Sequence, residues 1–214
     1  QAPSATLGVP APRCPAEPAR LATPRPPMPR QRGWLAACHA AGNSRYGARW
    51  YWQRRYELDD RPHEWYGLSF AEMQPVLGEV LRPADRILDL GCGTSGFAED
   101  ARRAGYASVL AVDFCQAVVE TLRARDPLGS YEAEDATELC GLADGSFSAA
   151  FDKGTMDGLL GEGRAGDLRR ARLAAGAVTR VLRPGGHWLS VGVSGPEAFA
   201  RCLSELGGTL QLQR

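Results

Sequence analysis

The sequence predicts an α/β domain: a doubly wound, mostly parallel sheet with helices on both faces, its C-terminal strands incomplete. Three observations carry this. Short apolar runs alternate with segments of helical periodicity, and the first run leads into a glycine turn, Gly91-Cys92-Gly93-Thr94-Ser95-Gly96. Successive runs close on a carboxylate, at Asp89, Asp113, Asp135 and Asp152. In sheets of this kind ligands gather at the C-terminal strand ends, where the strand order reverses.

The elements follow in chain order. Residues 1–45 are rich in proline, alanine and arginine, a composition that builds no packed helix or sheet, and are expected to be disordered; the folded domain is expected over 46–214. Trp50 to Tyr56 reads as a helix in which Trp52 and Tyr56 share a face, either as core packing or as a lid. Arg49, Arg54 and Arg55 read as solvated. Ser69 and Glu72 form a capping box ahead of Met73, Val76, Leu77 and Val80, although Pro75 argues that the regular helix starts only there.

Arg86 to Leu90 is the first strand, and Phe97 to Ala104 the helix after the glycine turn. Strand 109–112, helix 117–125, strand 130–133 and strand 147–151 follow. Leu168, Ala171, Ala175, Val178 and Leu182 line a long helix that Pro184-Gly185-Gly186 ends. His187 to Val193 is the fifth strand, Pro196 to Leu206 a helix, and Thr209 to Leu212 the start of a sixth strand without its partner.

Composition bounds the partners. Lysine plus arginine equals aspartate plus glutamate, at 25 each, so no overall field steers the chain to nucleic acid or an anionic membrane. The six cysteines form no CxxC pair, the three histidines are scattered, and no apolar run approaches the roughly 20 residues of a membrane span. The expectation is a monomer with no metal, no membrane contact and no nucleic-acid partner. The compartment expected is the cytosol, with the mitochondrion as alternative because Glu17 is the only acid before Glu57.

The glycine turn has the G-x-G-x-x-G form, which alone fits a dinucleotide. Asp113 suits ribose hydroxyls in either case. Asp89 discriminates, because a carboxylate beside the turn would oppose a pyrophosphate and suit a ligand carrying an ammonium and a sulfonium. Asp135, 22 residues after Asp113, is placed to accept from the amino group of an adenine. Together the three acids point to S-adenosylmethionine.

The same residues resemble a known family. Leu88-Asp89-Leu90-Gly91-Cys92-Gly93, Val112-Asp113, Asp135 and Val181-Leu182-Arg183-Pro184-Gly185-Gly186 resemble the motifs of class I, seven-stranded, Rossmann-like S-adenosylmethionine-dependent methyltransferases. Tyr51-Trp52 with Arg55-Tyr56, Glu64-Trp65-Tyr66-Gly67 and Asp152-Lys153-Gly154-Thr155-Met156-Asp157 resemble the methyltransferase-like lysine methyltransferases, a group that includes enzymes acting on elongation factor 1-alpha and on citrate synthase.

The resemblance implies that Asp89, Gly91 and Gly93 hold the methionyl part of the cofactor, Asp113 its ribose and Asp135 its adenine, with Trp52, Tyr56, Trp65, Cys92, Phe114, Ala136 and Asp152 also cofactor-binding. It further implies a protein substrate bearing the target lysine, with Asp152 and Asp157 as catalytic candidates. Lys153 reads as a structural ion-pair partner. The alternatives are a methyltransferase of small molecules or nucleic acid, a truncated non-catalytic binding protein, and an NAD-dependent oxidoreductase.

Overall fold

A computed structural model describes residues 46–161 and 165–203. The segment 1–45 and the proposed sixth strand at Thr209 to Leu212 lie outside the described residues. Five parallel strands form one sheet in the order β3-β2-β1-β4-β5. They are β1 (Arg86–Leu90), β2 (Ser108–Asp113), β3 (Ser130–Ala133), β4 (Phe147–Lys153) and β5 (Leu182–Val191). The helices are α1 (Arg49–Leu58), α2 (Phe70–Val80), α3 (Phe97–Arg103), α4 (Gln116–Arg125), α5 (Thr155–Leu160), α6 (Ala165–Val181) and α7 (Pro196–Leu203).

Strand alternation sorts the core into two layers. Ile87, Val109, Ala111, Ala149 and Phe151 face one side and pack against α2, α3 and α4 through Leu77, Phe97, Ala101, Val119 and Leu122. Leu88, Leu90, Leu110, Val112 and Ala150 face the other and pack against Ala177, Val178 and Val181 of α6. Because β2 and β4 both pair with β1, the strand order reverses there. The glycine turn after β1 therefore lies at the switch point.

Several boundaries differ from the sequence expectation, and three of them bear on the fold: the start of α2 and both ends of β5. Helix α2 begins at Phe70, five residues before Pro75, with Ser69 as N-cap and the capping box formed. The proline removes one interior bond, a cost of about 3 kcal/mol. Burial of Phe70, Met73 and Leu77, at about 1.5–3 kcal/mol each, outweighs it. In β5, Leu182 already pairs with Phe147, and pairing resumes with His187 opposite Ala149. The residues between them, Pro184-Gly185-Gly186 included, bulge out of register, with Gly185 at φ +75°. The strand closes at Val191, so Val193 lies beyond it.

Candidate active site

The turn after β1 is held from both sides. Gly91 and Gly93 have φ of +64° and +53°, the left-handed region that favours glycine. A Cβ on Gly91 would lie 2.3 Å from Thr155 Oγ1, and one on Gly93 would lie 2.5 Å from the Tyr56 hydroxyl. The missing side chains thus make room for protein neighbours. Thr155 Oγ1 donates to Leu90 O at 2.8 Å and to Gly91 O at 3.2 Å, tying the start of α5 to the end of β1.

The acids gather at the strand ends. Asp89 is 3% exposed, and among the described residues its Oδ2 has no hydrogen-bond partner. Burial pushes its carboxyl up to about 8, against a lowering by the Lys153 ammonium. Asp113 accepts from Gly93 N–H at 3.1 Å and from Cys115 N–H at 2.8 Å, and burial still raises it to about 6. Asp135 accepts from Thr137 N–H at 3.0 Å and its hydroxyl at 2.8 Å, while its other oxygen pairs with Arg49. Cys92 is buried and donates its N–H to Val112 O at 3.0 Å. Ala136 packs against the α6 side of the core.

Over these ends lies α1 with an aromatic cluster. Trp52 stacks on Tyr56 at 6.0 Å and meets Trp65 edge-on at 5.6 Å, and Tyr56 is buried against the α2 side of the core. These residues are therefore core packing and cover at once. Burial and the Asp113 charge raise the Tyr56 phenol well above its ordinary value.

At the end of β4, Asp152 is fully buried. It accepts from Met156 N–H at 3.1 Å and from Trp188 Nε1 at 3.0 Å, and burial raises it to about 6 despite the Ser190 hydroxyl. Asp157 accepts from the Tyr66 hydroxyl and from Val193 N–H and Ser194 N–H, both at 2.8 Å. Lys153 pairs with Glu64 and donates to Leu68 O, the structural ion pair that its sequence context suggests.

The structure adds four residues to the sequence-derived set. Glu64 joins Ser95 Oγ at 2.9 Å, Gly96 N–H at 2.7 Å and Lys153. Tyr66, at φ +60° and ψ +10°, stands over Asp157, and Thr155 braces the turn. Arg49, expected to be solvated, pairs with Asp135. Glu64, Tyr66 and Thr155 lie inside the Glu64-Trp65-Tyr66-Gly67 and Asp152-Lys153-Gly154-Thr155-Met156-Asp157 motifs, whereas Arg49 carries no local signal.

The donor set favours one class of ligand. Asp89 Oδ2, buried without a hydrogen-bond partner among the described residues, with Asp113 at the end of the next strand and Asp135 past the one beyond it, suits a cationic ligand better than a pyrophosphate. Comparison with known proteins agrees. Residues 88–190 match the family model described as "Methyltransferase domain". The chain is 35% identical over 162 residues to bovine EEF1A lysine methyltransferase 4, covering 71% of this chain and 63% of that protein. Over these residues the chain is similar to the class I methyltransferases.

S-adenosylmethionine is the cofactor of this family, and Asp89 Oδ2 is the acceptor suited to its ammonium end. The human eEF1A lysine and N-terminal methyltransferase is 28% identical over 154 residues, covering 70% of this chain and 22% of that protein. The chain thus spans less than two thirds of either relative. Among solved structures, the PH0226 protein from Pyrococcus horikoshii OT3 superposes with a TM-score of 0.51 at 19% identity, covering 64% of each chain, which speaks for the fold. Among the described residues no three histidine, cysteine or acidic side chains cluster as metal ligands, and no helix is long and apolar enough to cross a membrane.

Proposed function

We propose that this chain is a protein-lysine N-methyltransferase, with translation elongation factor 1-alpha as its first substrate to test. The similarity to the bovine lysine methyltransferase carries the reading. The rim at the end of β4 supports it.

S-adenosylmethionine, when bound, would supply a methyl group to a neutral amine, its sulfur keeping the bonding pair. The chain's own part is positional. Asp89 would hold the ammonium end, Asp113 the ribose hydroxyls and Asp135 the adenine side. Asp152 acts through what it holds: its carboxylate fixes the Trp188 indole and the first turn of α5. Asp157 holds the exposed Tyr66 ring and the backbone at Val193 beside the end of β4. An aromatic face there suits the approach of an alkylammonium chain.

The test is incubation with methyl-tritiated S-adenosylmethionine and recombinant elongation factor 1-alpha, alongside a cell lysate. Label recovered as methyl-lysine in a protein band is the expected result. Label confined to nucleic acid or small molecules, or absent altogether, overturns the reading.

A further inference from the structure

Arg49 sits at the first position of α1 and reaches the ends of two strands. Its guanidinium carbon lies 4.3 Å from the centroid of the Phe114 ring, just past β2, and its Nη1 pairs with Asp135 Oδ2, just past β3. Asp135 Oδ1 already accepts twice from Thr137, so Oδ2 is the acceptor left for an incoming donor. The other end of α1 is fixed, because Tyr56 is buried against Gly93.

A guanidinium and an adenine satisfy such a place in the same way. Each is planar, each can lie on an aromatic face, and each carries N–H donors at its edge for a carboxylate. They cannot do so together. Stacked planes in van der Waals contact need about 3.5 Å each, so a purine between guanidinium and ring would require about 7 Å, and 4.3 Å is present.

We infer that Arg49 competes with the adenine of the cofactor for Phe114 and Asp135, so that cofactor binding requires its guanidinium to leave. This rests on the assignment of Phe114 and Asp135 to the cofactor pocket. Affinity is then reduced by the fraction of molecules in which Arg49 holds the place. The pair is part-exposed, 39% at Arg49 and 24% at Asp135, so the effect is modest and falls with salt.

The experiment is calorimetric titration of wild type, Arg49→Ala and Arg49→Lys with S-adenosylhomocysteine, each protein checked by thermal melting. Arg49→Ala should bind about three- to tenfold more tightly than wild type at low salt, and the gap should narrow at high salt. Arg49→Lys, which keeps the charge and loses the planar stack, should fall between them, and it decides the matter if the alanine variant does not fold. Binding by both variants that is equal to or weaker than that of wild type overturns the inference and leaves the cofactor assignment standing. Failure of all three proteins to bind overturns both.

Discussion

Glu64 and Lys153, 89 positions apart, form an ion pair that joins the loop before α2 to the end of β4. The Lys153 side chain is 4% exposed, and the same Glu64 carboxylate caps Gly96 N–H. One side chain thus ties the glycine turn, the Trp65–Tyr66 loop and β4 together.

Removing Glu64 strands a buried ammonium. Glu64→Ala should lower the unfolding free energy by about 3–5 kcal/mol, and adding Lys153→Met should recover part of it by removing the second charge. Urea denaturation of the single and double variants measures this. A double variant less stable than Glu64→Ala would show that the pair is not what Glu64 provides.

Asp89 and Asp113 carry raised carboxyls, at about 8 and about 6. Each stays protonated in the folded chain at pH values where the unfolded chain, near 3.8, has lost the proton. Their contribution is therefore greatest below pH 4, and the unfolding free energy of the cofactor-free protein should fall as pH rises from about 4 to about 8. Asp89→Asn should flatten the upper part of that fall. Denaturation at pH 5, 6.5 and 8 checks both statements.

Gly91→Ala would put a Cβ 2.3 Å from Thr155 Oγ1 on a backbone at φ +64°. Strain and displacement of Thr155 together should cost about 1–3 kcal/mol and weaken cofactor binding. Thermal melting with and without S-adenosylhomocysteine reads both. Wild-type stability would mean that the turn tolerates the side chain.

Asp152 is placed to act through Trp188 and α5. Asp152→Asn should lower kcat by about tenfold or more while changing the dissociation constant of S-adenosylhomocysteine by less than about threefold. Equal losses in both would assign it to cofactor binding.

The fold was legible because its signals are local. The capping box at Ser69–Glu72, the apolar strands and their closing acids are each read within a few residues, and the strands lie within two residues of expectation except β5. The start of α2 differs from expectation because tertiary burial overrides a proline, and the start of β5 because a bulge lies inside Pro184-Gly185-Gly186. The site was legible in its acids and glycines. Its braces were not, because Arg49 meets Asp135 across 86 positions, Tyr66 meets Asp157 across 91, and Glu64 meets Lys153 across 89. No spacing rule spans such distances.

The glycine turn alone would serve a dinucleotide, and Asp89 is the residue that decides otherwise. Calorimetric titration of the wild-type chain with S-adenosylmethionine and, separately, with NAD tests this most directly, with Asp113→Ala as control. The account predicts saturable binding of S-adenosylmethionine at one site per chain, its loss in Asp113→Ala, and no heat from NAD. Binding of NAD, or S-adenosylmethionine binding undiminished in Asp113→Ala, would contradict it.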